Sequence, residues 1–272
     1  MSQFGIGIMQ GRLSPQVGDK TQFFPRYEDI ENEFYLARGL GFDHVCWYVD
    51  HKQTPYRTSF DQYLYAVKHV AWLQELVRTT PINSIELGKY RFDTENASNS
   101  VKEIDCWLSL MSSLCCGVAV LPLLEGNSIG HYDQDLLAAR LALIADRNPT
   151  FRIALELDIS ALETADFLRK VDHPRVGVCY DVGNAVSYGF NVSAELGFLG
   201  SQIFEIHLKD RKVGSHQSVP LGSGDVNFRG LLGYALKNYC GRITMQAYRS
   251  KDTYLQDAYT QLKFIKDIME EK

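Results

Sequence analysis

The sequence predicts a single (β/α)8 barrel, and three observations carry that prediction. Short apolar runs bounded by turn residues alternate with amphipathic helical stretches along the whole chain. Eight such units of about 34 residues fill 272 residues, a length over which eight parallel strands close on themselves. No linker composition interrupts the alternation, so residues 1–272 are expected to form one domain. A doubly wound open sheet is the alternative architecture, but the first turn reads GIMQGR and lacks the GxGxxG of a dinucleotide fold.

The elements follow in order. FGIGIMQ is the first strand, and Pro15, Gly18 and Pro25 make the next stretch a loop. From Tyr27 the apolar positions Ile30, Phe34, Ala37 and Leu40 keep helical spacing until Gly41, and HVCWYVD is the second strand. Phe60 to Val77 reads as one amphipathic helix, followed by the strand INSIEL. Val101 to Leu114 is the third helix, stopped by Gly117 before VAVLPLL, and Leu136 to Ala145 is the fourth, before RIALEL. Ser160 suits the N-cap of a helix running to Lys170, and Pro174 precedes VGVCY. A shorter helix, Ser193 to Gly200, leads into IFEIHL, and the glycine-rich stretch Val219 to Asp225 precedes a helix from Phe228 to Asn238. ITMQAY and the helix Tyr254 to Met269 bring the expected count to eight strands and eight helices.

Composition narrows the function classes. A formal net charge of -5 with no basic run argues against a nucleic-acid partner. No apolar run reaches membrane-spanning length, and the first residues lack the charged and apolar regions of a leader. The six cysteines form no CxxC pair and read as reduced core residues, so a cytoplasmic location is expected.

Four successive runs end in polar, ligand-type residues: Glu156, Asp181, His207 and Gln246. Catalytic groups of a barrel sit at the C-terminal strand ends, and alternate residues point inward. Counting back by two gives Ala154, Cys179 and Thr244, small enough for a crowded interior; from His207 it gives Glu205, which would need an interior partner. One imidazole, two carboxylates and an amide make an oxygen-rich site for one divalent cation, Mn2+, Zn2+ or Mg2+. Singly, each has a plainer use: Glu156 could pair with Arg152, Asp181 could cap the next segment, and His207 could be a satisfied core histidine. Jointly, four polar groups at matching strand ends favour a shared partner. Gln10, Arg12, Asn184, Lys209, Arg211 and Arg249 also fall at strand ends and suit an anionic or polyhydroxylated ligand. In PLGSGDVNF, Gly222 and Gly224 would let backbone N–H groups approach a phosphate.

The runs IGIMQGRLSP, YDVGN, HLKDR and PLGSGDVNF resemble the xylose-isomerase-like TIM barrels, the sugar-phosphate isomerase/epimerase superfamily, and the resemblance spans nearly the whole chain. It implies one divalent metal held by Glu156, Asp181 and His207, with Gln246 at the fourth position, and contacts to sugar hydroxyls or phosphate from Asn184 and Arg211. It further implies a sugar or sugar phosphate as substrate, an enediolate or hydride-shift reaction with Glu156 as base, and allows a homodimer. Two residues depart from the pattern. Gln246 stands where the family has a second glutamate and cannot take a proton; Cys46 stands where many relatives have a glutamate after strand two. Two other functions follow from these observations: a non-catalytic sugar- or metal-binding barrel, and an endonuclease-IV-like nuclease, which would need more histidines than the strand ends offer.

Overall fold

The computed structural model describes residues 5–16, 18, 22–49, 58–88, 90–93 and 97–271. Within them, eight parallel strands close in sequence order, the first pairing with both the second and the eighth. The strands are β1 (Ile6–Met9), β2 (His44–Val49), β3 (Ile82–Leu87), β4 (Val118–Leu123), β5 (Arg152–Leu157), β6 (Val176–Asp181), β7 (Ile203–Leu208) and β8 (Arg242–Met245). All eight lie where the apolar runs placed them. Phe4 and Asp50, the outer residues of the runs FGIGIMQ and HVCWYVD, fall outside the described residues.

Ten α-helices surround the barrel among the described residues, two more than the sequence pattern suggested. They are α1 (Tyr27–Leu40), α2 (Ser59–Lys68), α3 (Val70–Leu76), α4 (Ala97–Ser112), α5 (Gln134–Arg147), α6 (Ala161–Val171), α7 (Val182–Ser187), α8 (Val192–Leu199), α9 (Phe228–Asn238) and α10 (Tyr254–Glu270). The expected helix over 60–77 is two, because His69 leaves helical geometry (φ -110°, ψ 18°) between α2 and α3. The other addition is α7, which starts directly after β6. Its six residues were hidden in the sequence because VGN reads as a turn; the Asp181 carboxylate caps it by accepting from the Asn184 N–H. Ser160 caps α6 as expected, in a reciprocal capping box with Glu163.

The main core lies between strands and helices, with Trp47, Trp107, Phe34, Phe151 and Phe167 among its largest buried side chains. A separate small cluster of Val118, Val120, Ala154, Cys179 and Phe204 lies apart from it. Ala154 and Cys179 are the small residues predicted to lie two positions before the site. Register across β6 and β7 sets Asp181 beside His207, after a one-residue irregularity between Val178 and Cys179. The residue passed over is Phe204 of β7, and along β6 Gly177, Cys179 and Asp181 keep an unbroken alternation.

Candidate active site

Three buried side chains converge at the C-terminal strand ends. One ligand-capable atom from each of Glu86, Glu156 and His207 lies within 4.8 Å of the other two. Each residue is the fifth of a six-residue strand, β3, β5 and β7 respectively, so the period-two alternation aims all three into the barrel. The sequence reading found two of them and missed Glu86. Its signal was present: INSIEL ends in Glu-Leu as RIALEL does, and the same inward count from β3 selects it.

The remaining expected ligands are placed differently. Asp181 lies beside His207 but is engaged elsewhere: its Oδ2 is 2.6 Å from Lys209 Nζ, and its Oδ1 accepts the Asn184 N–H at 2.8 Å. It stands outside the three-donor cluster, paired with a cation of the chain. Gly183 makes that pairing geometrically accessible, since a Cβ there would lie 2.9 Å from the Lys209 stem. Gln246 donates its amide to Glu86 Oε2 at 3.1 Å, and its own Oε1 is buried with no partner. Gln22 donates to the other Glu86 oxygen at 2.7 Å. Asn184 donates to Glu156 Oε1 at 2.7 Å, leaving its buried Oδ1 unpartnered.

Burial dominates the electrostatics. It drives Glu156 up to about 7, reinforced by the negative charges of Asp181 and Glu86. Glu86 is raised for the same main reason, with His207 and Lys209 opposing. Burial also resists ionisation of Asp181, but Lys209 and His207 outweigh it and hold that carboxyl below its ordinary value. For His207 burial disfavours charge, yet Glu205, Glu156 and Glu86 together carry the imidazole up to about 9. Carboxylates this close repel unless a proton or cation sits among them. The donor set, two carboxylates, an imidazole and the unpartnered Gln246 oxygen, therefore fits a divalent cation on its own chemistry.

The other expected contact residues divide into two groups. Gln10 is fully buried, accepts the Tyr48 N–H at 3.0 Å, and keeps an unpartnered Nε2. Arg12 is buried near Arg249, Glu86 and Glu33, and burial with the Arg249 charge lowers it to about 10. Arg211 is half-buried with an unpartnered Nε. Arg249, by contrast, is a latch: its Nη1 donates to the Gly11 and Ser14 carbonyls at 2.6 and 3.0 Å, and its guanidinium lies over the rings of Phe23 and Tyr254. The glycine loop corrects an expectation outright. Gly222 and Gly224 donate their N–H groups to Asp210 Oδ2 at 2.9 and 2.8 Å, and the Val226 N–H reaches Oδ1. An anion already sits in that cradle, supplied by the chain, so these amides do not face a phosphate.

A closed parallel barrel with a buried acid-and-imidazole cluster at its C-terminal strand ends defines a TIM barrel whose mouth carries a donor set that could hold a divalent cation. The sequence matches the family described as xylose isomerase-like TIM barrel over residues 34–268, and the chain belongs to that family. Among solved structures it is similar to D-psicose 3-epimerase of Clostridium cellulolyticum H10, solved with D-tagatose, at 14% identity and a TM-score of 0.71–0.76 across the neighbours named here, 0.76 for this one, with 98% of this chain and 99% of that chain covered. The 3-keto-D-glucoside 4-epimerase of E. coli is 17% identical, with a TM-score of 0.71 over 97% of this chain and 99% of that chain. A xylose isomerase-like TIM barrel protein of Mycobacterium smegmatis, in complex with magnesium, is 17% identical with a TM-score of 0.71 over 99% of both chains. At these identities the likeness carries the fold alone. No curated protein matches the sequence.

Proposed function

We propose that the protein is a metal-dependent isomerase or epimerase of a sugar or sugar phosphate, with Glu156 as the proton-transferring base. The observation that carries this reading is the convergence of Glu86, Glu156 and His207, three buried donors in one barrel mouth. Glu86, Glu156 and His207 would hold the cation, with the Gln246 oxygen as a further donor and Asp181 in reserve through its contact with Lys209. When bound, a divalent cation supplies Lewis-acid polarisation of neighbouring carbonyl and hydroxyl oxygens. Sugar-acting epimerases are built on the same fold, and the substrate class proposed for this chain is the one named for them.

The chain's own groups do the rest. Glu156, raised to about 7 by burial, is poised to accept and return a proton near neutral pH. Asn184 holds one of its oxygens and so fixes where the other points. Lys209, Arg211, Arg12 and Gln10 line the polar surroundings and suit hydroxyl or phosphate oxygens, while Asn184 offers its unpartnered carbonyl to a hydroxyl. Epimerisation needs a base on each face of the carbon, and Gln246 cannot ionise, so Glu86 is the remaining carboxylate for that task.

The test is exchange of substrate C–H protons with deuterated water over a panel of ketoses, aldoses and their phosphates. Exchange that requires Mn2+ and is lost in Glu156→Gln supports the assignment; full turnover by that variant sinks it. A second reading, a non-catalytic sugar-binding barrel, is favoured by the amide at Gln246, and ligand binding with no exchange across the panel would select it. For an endonuclease-IV-like nuclease the described residues offer one histidine in the cluster, His207, whereas His44 opens β2 at the opposite end of its strand.

A further inference from the structure

Glu205 lies one layer beneath the cluster, fully buried, and no step above uses it. Its Oε1 accepts hydrogen bonds from the Thr244 hydroxyl at 2.6 Å and the Ser84 hydroxyl at 2.9 Å, and lies 3.5 Å from His207 Nε2. The placement is regular. Ser84 is two residues before Glu86 on β3, Thr244 two before Gln246 on β8, and Glu205 two before His207 on β7. Side chains two apart on a strand share a face, so a single carboxylate oxygen gathers β3 and β7, which carry Glu86 and His207, and β8, which Gln246 directly follows.

The two hydroxyls do not account for a charge in that position. A glutamine carbonyl would accept both of them, without the cost of removing an anion from water. What needs the anion is the imidazole above it. Both ring nitrogens of His207 are otherwise without hydrogen-bond partners, and the Glu205 carboxylate is the acidic group placed against Nε2. A carboxylate receiving one ring N–H fixes which nitrogen carries the proton, orients the ring, and makes the other nitrogen a better donor to a cation.

We infer that Glu205 is a positioning residue that takes the Nε2–H of His207 and presents the Nδ1 lone pair to the space between Glu86 and Glu156. What Nδ1 meets there rests on the function proposed above; the Nε2–H contact does not. Ser84 and Thr244 keep the carboxylate from rotating away, so the orientation of the imidazole is set from below by three strands at once.

The experiment uses full-length, nitrogen-15-labelled protein, with His207 signals identified by comparison with His207→Asn. At about pH 10, above the value of about 9 at which the imidazole gives up its second proton, the metal-free wild type is expected to show its one ring proton on Nε2, downfield and slowly exchanging, which Glu205→Gln removes. In calorimetric titration with Mn2+, Glu205→Gln is expected to bind about 10- to 100-fold more weakly, whereas Ser84→Ala, which keeps the charge and the Thr244 anchor, falls between that variant and the wild type. A packing role alone would lower thermal stability and leave the tautomer unchanged. The inference is overturned if the single proton of the neutral wild-type ring sits on Nδ1, or if Glu205→Gln keeps wild-type Mn2+ affinity and the same histidine signals. Should Glu205→Gln fail to fold, the wild-type spectrum decides the matter. A wild type that binds no Mn2+ but keeps the Nε2 proton would defeat the proposed function and leave the positioning role standing.

Discussion

At Gln246 the chain has an amide where the resemblance leads one to expect a carboxylate, and across the barrel mouth Glu86 accepts a hydrogen bond from that amide. The negative charge is therefore available, carried by a different strand. Two variants test whether it serves the same cation. Glu86→Gln alone should weaken Mn2+ binding by about two orders of magnitude, the scale expected when a buried anionic donor is lost, and adding Gln246→Glu should recover most of it by calorimetry. If the double variant binds no better than Glu86→Gln, the two positions are not interchangeable. Glu86 was hard to find in the sequence because no specific motif surrounds it, unlike the aspartate of YDVGN or the histidine of HLKDR. Only its position in the strand marks it, and INSIEL offers several polar residues until the inward parity is counted. The Asp181–Lys209 pair was illegible for a different reason: sequence shows which groups can ligate, but not which have already found a partner.

Elements, more than single residues, decide how the site is framed. Glu33 of α1 is buried and accepts the N–H groups of Gly11 and Leu13 at 2.7 and 3.0 Å, fixing the loop after β1 from beneath, while Arg249 holds the same loop through its carbonyls. Burial raises Glu33 from 4.5 to about 7 against those hydrogen bonds. The raised value has a definite sign: the folded chain holds this proton more tightly than the unfolded chain, so the contribution is complete below the ordinary carboxylate value and lost as pH rises through about 7. Glu156 adds to the same loss through about 7, and His207 through about 9. The melting temperature of metal-free protein should accordingly fall between about pH 4.5 and about pH 9, through the two carboxyls up to about 7 and through the imidazole from about 6.5 to about 9, and Glu33→Gln, which can still accept both N–H groups, should flatten the part below about pH 7. A melting temperature that climbs over this range would contradict the burial argument. The loop after β7 makes a second case. Asp210→Ala would strand three backbone donors, those of Gly222, Gly224 and Val226, at an expected cost of roughly 2–4 kcal/mol in denaturant unfolding. The glycines of PLGSGDVNF were visible in the sequence, but their partner was not. A glycine loop looks the same whether it receives a phosphate from solution or a carboxylate from the chain.

For the molecule as a whole, the alternation of apolar runs and amphipathic stretches was sufficient for the barrel, because a buried parallel strand and a helix covering it impose different periods on the sequence. All eight strands follow from it. Helix count did not, since a break at His69 and a six-residue turn of helix after Asp181 change no hydrophobic period. The family match over residues 34–268 agrees with that reading of the fold. Stability of the ring depends on its seam, where β1 meets β8 and Arg249 grips Gly11 and Ser14. Seen in the order of synthesis, that seam has a consequence. Glu86, Glu156 and His207 have all been made before β8 exists, yet the strand that closes the ring and the arginine that fastens it come later. The two carboxylates and the imidazole are thus encoded ahead of the closing strand, while Gln246 and the arginine that reaches back to the first loop come after it, so the barrel mouth is complete only once the last tenth of the chain has been made.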